Sequence, residues 1–198
     1  IAAQSNNGIG ITGIAYNVQI MAIKAAQYSG VLTSSDIAEA VNYAAQQGAD
    51  VINMSFGGTG RSLIEEDALA SAFGKAVLIA SAGNSGLPNE ACLPRYAAYY
   101  PASYNWVLGV MAQAQTPNAK GDNLAGFSNW DCKAKNGIEY EVMAPGVDIS
   151  SALPNNGYAA WDGTSMAAPV VSGIAALLRT KFNDKTIHSS RFLMGQLG

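Results

Sequence analysis

The chain has 198 residues, of which 49% are hydrophobic and only 13% charged, with 21 glycines and a net charge of -3. That composition excludes disorder and suits one α/β domain with a buried core. No run of Lys or Arg exceeds two, so neither a nucleic-acid nor an anionic-membrane partner is expected. The longest apolar-rich run, Met166 to Leu178, is broken by Pro169, Ser172 and Gly173. It is too short for a membrane span and fits a buried core helix. The chain starts at Ile1 with neither a Met nor a basic-then-apolar leader, as expected of a processed product or a fragment.

In chain order, Val18 to Lys24 reads as a strand. A helix follows from Asp36 to Gln47, capped by Ser34 or Ser35, with Ile37, Ala40, Val41 and Ala44 on one face and Gly48 at its end. Asp50 to Ser55 is a buried strand, Ser62 to Phe73 a second helix stopped by Gly74, and Lys75 to Ala82 another apolar strand. Further strands are expected at Trp106 to Met111 and Tyr140 to Met143. A last long helix is expected from Thr164 to Arg179, and a new capped helix over Asn183 to Leu193. Apolar strands alternating with helices predict an α/β fold with a mainly parallel sheet covered on both faces. Sites in such sheets lie beyond the carboxyl ends of the strands. Cys92 and Cys132 form no metal-type pair and fit either two buried thiols or one disulfide between surface loops.

Three loops fall at such strand ends or at a helix mouth. Ser165, in Gly163-Thr164-Ser165-Met166-Ala167-Ala168-Pro169, stands where unpaired backbone N–H groups and the positive helix end meet. On local features alone an ordinary N-cap serine is the favoured reading. Asn84, in Ser81-Ala82-Gly83-Asn84, is either a turn asparagine or an amide aimed into a cleft. Ser55-Phe56-Gly57-Gly58 and Gly30-Val31-Leu32 are edges to which an extended peptide could pair.

Taken together and in this order, these motifs and Met143-Ala144-Pro145-Gly146 closely resemble the subtilisin-like serine proteases, the subtilases, over Ile1 to about Lys181. The resemblance implies a three-layer sandwich around the parallel sheet, incomplete at its N-terminal side in this chain, so that residues 1–198 are one partial catalytic domain. It implies Ser165 as the acylated nucleophile and Asn84 as oxyanion donor, helped by the Ser165 N–H. It implies substrate binding by Gly30, Val31 and Leu32 on one side and Ser55, Phe56 and Gly57 on the other. Ser81, Ala82 and Gly83 would line the pocket for the residue before the scissile bond, with Tyr99 or Tyr100 at its far wall and Tyr99 making it shallow. Ser5 to Ile11 resembles the family's calcium loop, with the Asn7 side chain and the carbonyls of Ser5, Ile9 and Ile11 as hard oxygen ligands. Peptide or protein substrates and a secreted location follow from the same resemblance.

The family's order is Asp, then His, then Ser, yet neither of the first two motifs is present. The single histidine, His188, could in principle act with Asp184, but the intervening helix, about 20 Å long, carries it away from Ser165. It is expected to be a solvated surface residue. The Asp and His segment is therefore expected on a second chain of the same protease. The alternatives are an inactive remnant that binds a peptide or protein, or an unrelated α/β hydrolase. Alone, the chain is expected to be unstable or to aggregate, because a parallel sheet lacking strands exposes apolar edges.

Overall fold

The computed structural model describes residues 1–88, 98–118, 121–131 and 140–197. Helix α1 is Ser34–Gln46, β1 is Val51–Met54, α2 is Leu63–Phe73, β2 is Val77–Ser81, β3 is Val107–Gln113 and β4 is Val142–Pro145. The four strands form one parallel sheet in the order β1-β2-β3-β4. Parallel strands need crossovers, and α1 and α2 flank β1 as such connections require. β5 (Ile149–Leu153) and β6 (Gly157–Trp161) then form an antiparallel hairpin about a single 3-10 turn at Pro154–Asn156. Helix α3 (Thr164–Lys181) and a short α4 (Ser190–Met194) follow.

All five residues of β2 are buried, because this strand is covered on both faces. Leu78 and Ala80 join a core with Met54, Val107, Ile37, Val41, Leu69 and Ala72, so α1 and α2 cover one face. Val77 and Ile79 join Leu108, Val110, Ala167, Ala168, Val171 and Ala175, so α3 covers the other. The result is a three-layer α/β arrangement with a parallel central sheet.

Three expectations need correction. Helix α1 is capped by Thr33, not by Ser34 or Ser35. Thr33 Oγ1 accepts from the Asp36 N–H at 3.2 Å while Asp36 Oδ2 accepts from the Thr33 N–H at 3.2 Å, a reciprocal box that needs an acid three residues on. Val18 to Lys24 forms no strand, since no ladder partner lies beside it and its residues are mostly exposed. Of the helix expected within Asn183 to Leu193, only α4 is regular; upstream, Asp184 closes a turn on Thr186. The Cys92 and Cys132 pairing lies outside the described residues.

Candidate active site

Because β1 and β2 run parallel, their carboxyl ends emerge on the same edge of the sheet. β1 there delivers Ser55 and β2 delivers Gly83 and Asn84. Helix α3, packed across the sheet, brings its N-terminus to the same edge. Gly146, just after β4, accepts the Gly163 N–H at 2.8 Å. A Cβ on Gly146 would stand 2.7 Å from the Ala112 Cβ and 2.9 Å from the Gly163 carbonyl oxygen. The Met143 to Gly146 motif therefore seats the turn that starts α3.

Ser165 is the second residue of α3 and is half-buried. Its N–H belongs to the first helical turn and has no intrahelical acceptor by position. Its hydroxyl donates to the Ser55 carbonyl at 3.1 Å, and the Ser55 hydroxyl donates back to the Ser165 carbonyl at 2.9 Å. Asn53 Nδ2 donates to Ser55 Oγ at 2.9 Å, and Asn53 Oδ1 accepts from the buried Ser172 hydroxyl at 2.9 Å. This chain of bonds ties the third turn of α3 through β1 to the residue facing Ser165.

Asn84 is exposed at the end of β2, yet its amide is fixed. Oδ1 accepts both the Thr164 N–H at 2.9 Å and the Thr164 hydroxyl at 2.7 Å. A backbone N–H can only donate, so the amide atom facing it is the oxygen, and the NH2 must point the other way. Thr164 is fully buried and its Oγ1 also accepts from the Gly83 N–H at 3.1 Å. A Cβ on Gly163 would stand 3.4 Å from Asn84 Nδ2, which places that NH2 beside the helix mouth. No protein acceptor engages it among the described residues.

Two further residues, not singled out in the sequence, support this region: Asn129 holds the loop and Ser128 fastens the Asn129 backbone to β3. Asn129 is buried; its Nδ2 donates to the Ala82 carbonyl at 2.9 Å, and its Oδ1 accepts from the N–H of Ser85 at 3.0 Å and of Leu87 at 3.2 Å. Ser128 accepts from the Ala112 N–H of β3 at 2.9 Å. Nothing local marks Asn129, since its partners lie 42 to 47 residues upstream.

Among the other expected site residues, Gly30 has φ +81 and open space where a Cβ would project, so only glycine fits the turn without strain. Gly30 and Leu32 line a cavity of about 350 Å³ together with Phe56, Gly57 and Gly58, while Val31 is exposed beside it. The two expected peptide-binding edges thus share one depression. Ser81, Ala82 and Gly83 are buried. Tyr99 bridges the two walls: its hydroxyl donates to the Gly57 carbonyl at 2.9 Å, and its ring lies 3.1 Å from where a Gly83 Cβ would stand. Burial raises the Tyr99 phenol above its ordinary value and keeps it a donor. Tyr100 pairs with Gly58 in a two-bond bridge that stiffens the 56–58 edge.

The structure does not bring His188 to this edge. It lies beyond the far end of α3, where its carbonyl accepts from Arg179 at 2.8 Å and its ring packs at a tilt against Phe182 and Phe192, with centroids 5.0 and 4.9 Å away. It is half-buried in an aromatic cluster, not a solvated surface residue. In the Ser5 to Ile11 loop, Asn7 Oδ1 accepts from the Ile9 N–H at 3.0 Å, and Asn7 and Ile9 are exposed while Ser5 and Ile11 are half-buried. The first acidic residue of the chain is Asp36, so the loop offers neutral oxygens only. Those are the right donor type for calcium but lack the charge that tightens such sites.

The family model of the subtilases, described as "Subtilase family", matches residues 1–195. The chain is 42% identical to a thermophilic serine proteinase of Bacillus sp. (strain AK1), over 91% of this chain and 40% of that protein. It is 40% identical to subtilisin DY of Bacillus licheniformis, over 91% of this chain and 61% of that protein. It therefore spans between 40% and 61% of the length of these relatives. Among solved structures, it superposes on sphericase with a TM-score of 0.80 at 28% identity, covering 94% of this chain and 61% of the other. A cold-adapted subtilisin-like serine proteinase gives 0.76 at 31% identity, covering 92% and 60%. With the parallel sheet, the helix-mouth serine and the clamped asparagine in the same order as the sequence motifs, the chain belongs to the subtilase family.

Proposed function

We propose that this chain carries the nucleophile and oxyanion donor of a secreted serine endopeptidase, which hydrolyses peptide bonds through an acyl-enzyme on Ser165. One observation carries the reading: Thr164 holds both bonds to Asn84 Oδ1, so an otherwise unengaged NH2 is presented beside the helix mouth at Ser165. Donors fixed before reaction stabilise an oxyanion without reorganisation. Ser165 Oγ bonds to the scissile carbonyl carbon and gives its proton to a base. The carbonyl oxygen, now negative, is met by Asn84 Nδ2 and the Ser165 N–H. Collapse breaks the C–N bond, and the amine leaves with the proton. Water then attacks the ester, returns the proton to Ser165 and frees the acid.

The base and its Asp partner belong to polypeptide outside this chain, because His188 is the chain's single histidine and lies at the wrong end of α3. The open edge of β1 supports this. A cavity of about 1030 Å³ lies there between Val18 to Ile23 and Val51 to Phe56, with Ile37 and Val41 of α1 on one side and Ala176 of α3 on the other. An added apolar strand would pair with β1 and be covered by both helices, as an interior parallel strand must be. No helix of the described residues is long and apolar enough to cross a membrane.

Peptide substrates pair between the 30–32 and 55–57 edges, and Tyr99 leaves room for a small side chain next to the scissile bond. The intact protein is expected to cleave peptides with Ala at that position faster than those with Phe, and Ser165→Ala to abolish cleavage. Hydrolysis that survives in Ser165→Ala would overturn the assignment. Calcium held by Asn7 and the carbonyls of Ser5, Ile9 and Ile11, with a carboxylate from outside the loop, is part of the same proposal. Adding calcium to chelator-treated intact protein should raise its Tm, and an unchanged Tm would exclude that site.

A further inference from the structure

Glu65 does nothing for the chemistry described above, yet it is placed at cost. It lies in the first turn of α2, is only 4% exposed, and its Oε1 is buried with no hydrogen-bond partner. A carboxyl group removed from water without compensation is expensive in either protonation state. On the core-facing side of a helix, an apolar residue would avoid that penalty.

No cation within the described residues offsets it. Arg61, the nearest in sequence, is held by the neighbouring Glu66, with Nε and Nη2 each donating at 2.9 Å. The other titratable groups around Glu65 are phenols. Tyr100 lines the same cavity, and Tyr104, whose hydroxyl donates to the Ser62 carbonyl at 3.0 Å, feels the Glu65 charge. From α1 the groups that face the cavity are Ser34 and Ile37, neither of them charged.

The position of the group is as telling as its burial. Glu65 lines the 350 Å³ cavity whose rim is Gly30 and Leu32 on one side and Phe56, Gly57 and Gly58 on the other. Those are the two edges between which an extended peptide would run. Gly30, Gly58 and Gly60 project no side chain and have open space where a Cβ would stand, so nothing closes the cavity from their side. A substrate side chain entering there would meet the Glu65 carboxyl at the bottom.

We propose that this cavity is a specificity subsite for a basic side chain, and that Glu65 receives the ammonium or guanidinium of a Lys or Arg in the bound peptide. The stem of such a residue packs along Leu32, Ile37 and Phe56 while its charged end reaches the carboxylate, which matches the amphipathic shape of Lys and Arg. Burial holds the empty site's carboxyl up to about 7, and an incoming cation drives it to the ionised form. Subsites built on a buried charge discriminate strongly, because a peptide without the cation leaves that group unpaired.

The inference rests on the peptide-binding reading of the two edges, and its test separates it from catalysis. Fluorescein-labelled hexapeptides carrying Lys, norleucine or Glu at one position at a time are titrated against the intact protein with Ser165→Ala. The same series, unlabelled, is digested by the protein with Ser165 in place. At one position Lys should bind at least about tenfold more tightly than norleucine, and Glu more weakly than either. That preference should vanish in both Glu65→Gln, which keeps the shape, and Glu65→Leu, which makes the site apolar. Lys-selective binding without any cleavage would leave the subsite standing and remove the protease reading. Cleavage or binding with no Lys preference at any position, or a preference that persists in both variants, would overturn the subsite.

Discussion

At the residue scale, Thr164 determines where the Asn84 amide points. Its N–H and hydroxyl both converge on Asn84 Oδ1, and its own oxygen takes the Gly83 N–H. Asn84→Ala should therefore lower kcat by about a hundred- to a thousand-fold with little change in KM, the magnitude established for the oxyanion asparagine of subtilisin, itself a member of this family. Thr164→Val keeps the volume but leaves Asn84 Oδ1 with one donor and the Gly83 N–H with none. It should lower kcat as well and cost about 1–3 kcal/mol of stability, and Thr164→Ser should recover most of both. Steady-state kinetics and urea unfolding of the three variants check this. A KM effect alone would mean that Asn84 binds substrate without favouring the transition state. Ser165 and Asn84 were legible in the sequence because each sits in a short, distinctive motif. Thr164 and Asn129 were not: a threonine before a helix serine reads as ordinary capping, and the partners of Asn129 lie far away in the chain.

At the scale of elements, the sequence carried the strand and helix order because the buried strands are unbroken apolar runs and Gly48 and Gly74 mark helix ends. It carried less where structure depends on partners. Val18 to Lys24 has strand-like residues but no ladder to join, and the β5–β6 hairpin has exposed, weakly alternating strands. Glu65 was invisible for a related reason: a charged residue early in a helix reads as solvated and favourable to the helix dipole, whereas the tertiary fold buries it beside Ile37, Phe56 and Tyr100. The consequence is a pH dependence of stability. The carboxyl is raised from 4.5 to about 7 in the folded protein. Below about 4.5 both states are protonated and nothing is lost. As pH rises towards 7 the unfolded chain ionises first, so folding is progressively destabilised, and above 7 the loss is constant. Relative to Glu65→Gln, the intact protein should lose about 1–3 kcal/mol between pH 4.5 and pH 8, as read from urea unfolding. Parallel stability curves for the two proteins would contradict a buried, desolvated Glu65.

At the scale of the whole molecule, the three-layer fold and the family were readable because four motifs fall in register and each stands at a strand end or a helix mouth. The edge of the sheet was less so. The chain presents the helix-mouth Ser165, the clamped Asn84 amide and the edges at Gly30 and Leu32 and at Phe56 to Gly58, for which we propose the roles of nucleophile, oxyanion donor and peptide-binding walls, while its single histidine packs with Phe182 and Phe192 beyond the far end of α3. On that proposal the base comes from polypeptide that would fill the groove beside β1. The most direct test of this account is reaction with a fluorophosphonate, followed by mass mapping of the labelled residue. In the intact protein the label should sit on Ser165, be absent in Ser165→Ala, and form more slowly in Asn84→Ala. This chain expressed alone should remain unlabelled. Absence of label from the intact protein, or label on another residue, would contradict the assignment of Ser165 as the nucleophile.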